Sequence, residues 1–269
     1  MGRIQLLLAE NSILGFLLVT FIISLISFAM MLNISGAHTP ESLVGLPVWL
    51  IAIWSPTMAA IIIWTSKGEF ISQVQRAFSI PDFSWWILLS LVPLVIVTVL
   101  LFVETQNGHA INWSNFEIKF LLPLVLINLF MGPLGEELGW RAFLYPVFKD
   151  KYGWMASALI VGAIWILWHA PLWFLDSPQS KIPFWAFSVN VMLLSILMSV
   201  IYNHSQGSVM PVILLHLTFN VSLGIVDILD SHHPGEFVIK SLYVYFPLVL
   251  LLVGIHELTS PHECNLNSI

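Results

Sequence analysis

Long apolar segments alternate with short polar loops along the chain. Eight of these segments have the length of a membrane-spanning helix or come near it, and none shows the strict alternation of a transmembrane strand. Their approximate bounds are 12–32, 45–64, 85–103, 120–143, 154–173, 184–202, 209–226 and 241–254, of which the last is short. The pattern predicts an all-α polytopic membrane protein of about eight transmembrane helices, in one integral-membrane domain over residues 1–269.

Composition supports this class. Only 9% of the residues are charged and 58% are hydrophobic, with a mean hydropathy of +0.90. A soluble domain carries roughly 25% charged residues, so this chain cannot cover itself with a hydrated surface. The bilayer is therefore its expected environment, and the lack of a basic patch in a chain of net charge -6 argues against nucleic acid as a partner.

The chain ends give weaker signals. The first apolar segment follows Arg3 but is too long for the core of a signal peptide, and we interpret it as a retained span. The single cysteine, Cys264, excludes a disulfide framework and a cysteine-based zinc cluster within this chain. Five lysines and arginines fall on the N-terminal side of the predicted spans and three on the other, which predicts that both termini are cytoplasmic.

Ionisable residues inside the spans are confined to three of them. The fourth span contains Glu136, Glu137 and Arg141, the fifth contains His169 and the seventh contains His216. Charged groups in lipid are costly and mark functional sites by default, so we expect these three helices to converge on one polar cavity.

The first motif is the pair of adjacent glutamates followed by an arginine. Residues four apart share a helix face, so Glu137 and Arg141 can form an ion pair. Glu136 points about 100 degrees away and can face a cavity; a carboxylate withdrawn from water suits general acid–base chemistry. Pro133 and its flanking glycines predict a kink just before this point. The alternative places all three charges at a helix end among lipid headgroups.

Two further motifs use the same four-residue spacing. Trp165 lies four residues before His169, and Pro171 is expected to end or bend the helix just after it. His216 precedes Asn220, and together the two side chains could donate hydrogen bonds to a developing oxyanion. The alternatives are ordinary: His169 and Trp165 could be packing residues, and His216 with Asn220 could be a hydrogen-bonding pair that joins two helices.

Taken in order, G-E-E-L-G-W-R-A-F-L, W-H-A-P-L and L-L-H-L-T-F-N resemble one family. It is the CAAX prenyl protease and bacteriocin-processing (CPBP, or Abi) family of intramembrane endopeptidases, which includes the type II CAAX prenyl endopeptidase. Each motif alone is weak, but the ordered triple, over about residues 120–220, is specific. The resemblance implies a peptide hydrolase that acts on a membrane-anchored or lipidated peptide or protein.

The resemblance also implies roles for the motif residues. Glu136 would activate the attacking water, with assistance from His169. His216 and Asn220 would form the oxyanion hole.

Three residues would support the site. Glu137 and Arg141 would be a structural pair that holds the motif helix. Trp165 stands where the family usually has phenylalanine, a departure that affects the shape of the pocket more than the chemistry.

Metal dependence is the main alternative in mechanism. If the protein were a metalloenzyme, Glu136, His169 and His216 would be the candidate ligands of one divalent ion such as zinc. The chain has no H-E-x-x-H motif to place two histidines on one helix face, so we favour hydrolysis without a cofactor.

Two other function classes fit a polytopic membrane protein. A non-catalytic immunity or binding protein would retain the scaffold and bind a peptide toxin or partner, but such a protein would tolerate a degraded motif. A transporter with a glutamate–histidine proton relay would be expected to show internal repeats, which we do not find. The intact motifs favour the enzyme.

Overall fold

A computed structural model describes residues 11–80, 85–108, 111, 113–115, 117–175, 177–229 and 234–259. These residues form helices and connecting turns, and no strand occurs among them. Arg3 and Cys264 lie outside the described residues. The helices are α1 (Ser12–Asn33), α2 (Gly45–Lys67), α3 (Phe70–Ala77), α4 (Trp85–Leu89), α5 (Val92–Gln106), α6 (Leu121–Phe130), α7 (Pro133–Gly139), α8 (Tyr145–Tyr152), α9 (Trp154–His169), α10 (Phe184–His204), α11 (Met210–Leu229) and α12 (Pro234–Thr259).

Seven helical stretches in the described part of the chain are long and apolar enough to cross a membrane. They are Ser12–Asn33, Gly45–Lys67, Ile118–Tyr152, Trp154–Phe174, Phe184–His204, Met210–Leu229 and Gly235–Thr259. The fold is therefore that of an all-α, multi-pass integral membrane protein, as the apolar pattern predicted.

The predicted third span, 85–103, is not one continuous helix. It consists of α4 and α5, separated at Ser90 and Leu91. Pro93 lies in the first turn of α5, where its missing N–H needs no helical partner, so the sequence favours a new helix start at this point. The Ser90 hydroxyl donates a hydrogen bond of 2.8 Å to the carbonyl oxygen of Pro211, which connects the break to the start of α11.

The eighth predicted segment, 241–254, was too short. The helix α12 extends it at both ends and includes Pro247. The polar residues that ended the apolar pattern remain helical because they find partners: the Lys240 ammonium lies 2.7 Å from the Glu104 carboxylate on α5.

The fourth predicted span, 120–143, contains several elements in series. The helix α6 ends at Phe130, α7 follows after Met131 and Gly132, and a π-helical turn over Trp140–Leu144 leads into α8. Such π-helical turns occur mostly as single turns and often at functional sites. The predicted kink is therefore confirmed as a complete break of the helix, placed directly before the two glutamates.

The longest predicted loop, between the second and third spans, contains the amphipathic helix α3. Its last residue, Ala77, accepts a 2.9 Å backbone hydrogen bond from Val209, and the Ser208 hydroxyl donates 2.6 Å to the carbonyl oxygen of Ser79. These bonds fix the chain immediately before α11, the helix that provides His216.

The core surrounds α7 and the π-helical turn. Trp140 and Phe143 are buried against Phe16 of α1, with ring centroids 5.6 and 4.8 Å away. On the other side, a Cβ on Gly139 would lie only 2.4 Å from Cβ of Pro56. A glycine is required at this position because α7 lies directly against the backbone of α2.

Candidate active site

The break between α6 and α7 has a partner for its exposed backbone. The Trp54 indole N–H donates 2.9 Å to the carbonyl oxygen of Phe130, the last residue of α6. Pro133 opens α7, where no N–H is needed for the helix. Unsatisfied backbone groups at membrane depth are costly, so this satisfaction by a neighbouring side chain is what permits a helix to stop inside the bundle.

The residue at the break must be small because two side chains approach it. A Cβ on Gly132 would lie 2.8 Å from Nδ2 of Asn220 and 3.7 Å from Nε2 of His216. The amide and imidazole nitrogens of α11 therefore point to the same backbone position. The four-residue spacing predicted this shared direction, and the structure confirms it.

Glu137 joins two helices. Its carboxylate oxygens lie 3.2 and 3.1 Å from Nη1 of Arg141, and one of them lies 2.7 Å from Nδ1 of His216. Glu137 and Arg141 are completely buried. The predicted Glu137–Arg141 pair is present in the structure, and the contact with His216 adds a link to α11 that the spacing could not show.

Glu136 has a different partner, on α9. The indole N–H of Trp165 donates 2.6 Å to Oε2 of Glu136. Glu136 is also buried, so both glutamates lie inside the protein and not at an exposed helix end among headgroups. This burial argues against direct contact of the pair with lipid headgroups.

Trp165 lies at the centre of the cluster. The guanidinium carbon of Arg141 is 4.3 Å from the centroid of its ring. The imidazoles of His216 and His169 approach the same ring at centroid distances of 5.3 and 5.7 Å. One aromatic side chain thus contacts residues from all three of the charged spans.

His169 occupies the last position of α9. Its Nδ1 is 2.9 Å from the carbonyl oxygen of Trp165, and because a carbonyl only accepts, Nδ1 carries the proton of this bond. In the neutral ring, Nε2 is then left to accept a proton. The rings of Trp168 and Phe187 enclose the imidazole at 4.7 and 5.2 Å.

The structure therefore brings together every residue that the sequence singled out. Glu136, Glu137 and Arg141 come from the broken fourth span, Trp165 and His169 from α9, and His216 and Asn220 from α11. This arrangement confirms the predicted convergence of three spans. Two contacts were missed by sequence reasoning. One is the hydrogen bond from Trp165 to Glu136, for which the four-residue spacing of Trp165 and His169 was the available signal. The other is the hydrogen bond from Trp54 to the end of α6, for which the sequence carries no signal.

Metal binding by these residues is the alternative that the sequence left open. Within the described part of the chain, no group of three or more histidine, cysteine, aspartate or glutamate side chains could hold a metal ion. Glu137 already pairs with Arg141 and His216, and Glu136 with Trp165.

Comparison with known proteins matches this same part of the chain. The family model described as type II CAAX prenyl endopeptidase Rce1-like matches residues 118–222. Residues 118–222 are thus similar to the proteins of that family. The matched segment contains all seven candidate site residues and runs from just before α6 to just past Asn220.

A curated relative agrees with this assignment. The protein is 25% identical over 105 residues to CAAX prenyl protease 2 of Methanococcus maripaludis, an alignment that covers 36% of this chain and 39% of the relative. The chain therefore aligns with about two fifths of the length of that relative. The resemblance to CAAX prenyl proteases that the motifs suggested is confirmed, over the segment that contains them.

Proposed function

We propose that this protein is an intramembrane endopeptidase that hydrolyses a peptide bond in a membrane-anchored or lipidated substrate, such as one with a prenylated C-terminal CAAX box. The observation that supports this activity most is the convergence of three helices: Glu136, His169 and His216 all contact Trp165, and Asn220 and His216 both approach the helix break at Gly132. The Rce1-like match over the same residues, and the name of the relative, support the choice of peptide hydrolysis.

Glu136 is the general base in this mechanism. Trp165 holds Oε2, so Oε1 is the oxygen that takes a proton from water as the water oxygen attacks the scissile carbonyl carbon. Nε2 of His169 orients the same water. When the tetrahedral intermediate collapses and the C–N bond breaks, the proton passes from Glu136 to the leaving amine.

His216 and Asn220 stabilise the oxyanion. Asn220 donates from Nδ2, which lies beside the helix break at Gly132. Because Nδ1 of His216 donates to Glu137, Nε2 donates to the oxyanion when the imidazole is doubly protonated, and the Glu137 carboxylate balances that charge. Glu137 and Arg141 thus hold the oxyanion hole and take no part in proton transfer.

We propose further that the reaction uses no metal or other cofactor, since the chain has no H-E-x-x-H motif to place two histidine ligands on one helix face. A substrate that is itself anchored in the bilayer would reach the site within the membrane. We also propose that both termini are cytoplasmic, because more lysines and arginines fall on the N-terminal side of the predicted spans than on the other side.

The test is cleavage of a fluorescence-quenched, C-terminally lipidated peptide by the purified protein in detergent. Wild type should cleave it, and Glu136→Gln and Glu136→Ala should lose about 10²- to 10⁴-fold in rate, the contribution of a general base. Glu41→Gln is the matched control, because Glu41 is an exposed glutamate outside the site and should not affect the rate.

The same assay separates the alternatives. Activity that persists after exhaustive chelation supports the cofactor-free mechanism, whereas loss that one divalent ion restores would overturn it. Equal rates for wild type and Glu136→Gln would show that Glu136 is misassigned. If wild type cleaves no member of a broad peptide library, the non-catalytic immunity or binding function becomes the better explanation.

A further inference from the structure

Two adjacent glutamates with the same chemistry receive different partners in this fold. Glu137 contacts a guanidinium and an imidazole, both of which can carry positive charge. Glu136 contacts the indole N–H of Trp165, a neutral group, at 2.6 Å. The difference arises because consecutive helical residues point about 100 degrees apart, so one faces α11 and the other faces α9.

We propose that Trp165 is a positioning residue for the reaction: its indole N–H fixes one oxygen of Glu136, and its ring keeps Arg141 directed at Glu137. This inference rests on the proposed endopeptidase function. It assigns a task to a residue that family resemblance would treat as part of the pocket wall.

The hydrogen bond selects one orientation of the Glu136 carboxylate. The donor lies on α9, the same helix that carries His169 four residues later, and Nδ1 of His169 bonds the carbonyl oxygen of Trp165. Glu136 and His169 are therefore both positioned by one residue, through its side chain and its backbone respectively. A shift of Trp165 would move the base and its assistant together.

The indole suits this task for a chemical reason. It is a donor only and does not exchange its proton with a carboxylate at ordinary pH, so it orients Glu136 without neutralising it. A lysine or arginine at this position would form an ion pair with Glu136 and compete with water. Phenylalanine, the usual residue at this position in the family, has no donor, so this chain fixes its carboxylate by a contact that phenylalanine cannot make.

The ring of Trp165 also contacts Arg141, the cation of the site. The guanidinium carbon of Arg141 lies 4.3 Å from the ring centroid, within the range of a cation–π contact. Arg141 can stack on this ring and still bond Glu137, because the guanidinium is planar. The stacked position directs Arg141 to Glu137, so that Glu136 keeps the neutral indole N–H as its partner.

The first experiment compares Trp165→Phe with Trp154→Phe in the peptide-cleavage assay. Both variants replace a tryptophan on α9 whose indole N–H donates to a carboxylate, but the Trp154 indole donates to Glu257, at 2.8 Å, and not to Glu136. Trp165→Phe should lower kcat about 10- to 100-fold, as expected for the loss of a hydrogen bond to a charged group, with KM changed less than about threefold. Trp154→Phe should change kcat less than about threefold, since Glu257 takes no part in the proposed reaction.

A second substitution isolates the N–H group from the shape of the ring. Benzothienylalanine, incorporated at position 165, replaces the indole N–H by sulfur and leaves the size nearly unchanged. It should reproduce the loss in kcat of Trp165→Phe. This variant decides the question if Trp165→Phe fails to fold, and a kcat equal to that of wild type would overturn the proposal.

A spectroscopic measurement tests the contact without any turnover. In protein labelled with ¹⁵N-tryptophan, the Nε1–H resonance of Trp165 is assigned by its loss in Trp165→Phe. Glu136→Gln should move this resonance, and Glu41→Gln should not. An unmoved resonance in Glu136→Gln would overturn the proposal.

The two readouts separate this inference from the function on which it rests. If wild type cleaves no peptide but the Trp165 resonance responds to Glu136→Gln, the contact stands while the endopeptidase function and the positioning role both fail. If wild type cleaves and Trp165→Phe cleaves equally well, the function stands and the positioning role fails.

Discussion

The helix α10 and the segment Ile118–Tyr152 are both apolar enough to cross a membrane, yet they are built differently. The helix α10 runs for 21 residues without interruption. The other segment changes direction or geometry at Gly132 and again at Trp140. Each contains buried polar residues, so polarity alone does not account for the difference.

The buried polar side chains of α10, such as Ser195 and Ser199, are uncharged. The Ser199 hydroxyl donates 2.7 Å to the carbonyl oxygen one turn earlier, at Ser195. The Ser195 hydroxyl reaches the carbonyl oxygen of Ala158 on α9, at 2.8 Å. A straight helix can accommodate such groups because backbone carbonyls of the same or the next helix lie within reach.

The groups of the broken segment are charged, and a regular helix offers them no comparable partners. Glu137 reaches Arg141 within its own segment but also needs His216 of α11, and Glu136 needs Trp165 of α9. The break at Gly132 brings the glutamates to these partners and lets Asn220 approach the backbone. The comparison teaches that a neutral polar group can be satisfied along a helix, whereas a buried charge requires the helix to be rearranged around it.

Arg141→Met should have the largest effect on stability. It leaves the Glu137 carboxylate fully buried with His216 as its remaining partner, and breaking a buried ion pair costs about 3–5 kcal/mol of unfolding free energy. The measurement is the midpoint of denaturant-induced unfolding in detergent, compared with wild type.

Lys119→Met is the control for this prediction. Lys119 lies 2.6 Å from Glu117, but these side chains are 64% and 53% exposed, and an exposed pair contributes about 0–1 kcal/mol. If the two variants are equally stable, the buried pair has no special role. Adding Glu137→Gln to Arg141→Met should recover part of the loss, because the buried charge is then removed.

Gly139→Ala should have the next largest effect. The added Cβ would lie 2.4 Å from Cβ of Pro56 and 2.5 Å from its backbone carbon, so α7 and α2 must separate. Overpacking of this kind costs about 1–3 kcal/mol, visible as a lower Tm in a thermal unfolding experiment. The matched control is Gly254→Ala in α12, where nothing lies within 4 Å of the added Cβ. A Tm equal in both variants would show that α7 does not pack against α2 as described.

Ser195→Ala should have the smallest effect. It removes one hydrogen bond between α10 and α9, and such bonds in membrane proteins contribute about 0.6 kcal/mol on average. The expected result is a small shift of the unfolding midpoint and an unchanged rate of peptide cleavage. A loss as large as that of Arg141→Met would remove the distinction between neutral and charged groups that separates the two segments.

The sequence predicted the class of fold and the members of the site with few errors. Apolar segments of about 20 residues are a direct consequence of bilayer thickness, so the spans could be read from the chain. The errors fell where a proline or a partner in another helix decided the structure: the third span divided at Pro93, and α12 extended through Lys240 because Glu104 of α5 pairs with it. The proline is a local signal that the apolar pattern did not register, whereas the Lys240–Glu104 pair joins residues that are distant in sequence.

Inside the site, too, some features follow from spacing along one helix and others only from contacts between helices. The four-residue spacings determined that Glu137 can pair with Arg141 and that His216 and Asn220 share a direction, because these are properties of one helix. Which glutamate meets an imidazole and which meets an indole was decided by the tertiary structure, since that depends on how α7, α9 and α11 are rotated against one another. Those rotations depend on packing between helices, such as that of Gly132 against α11 and of Gly139 against α2, which is a property of the assembled helices and not of any one segment.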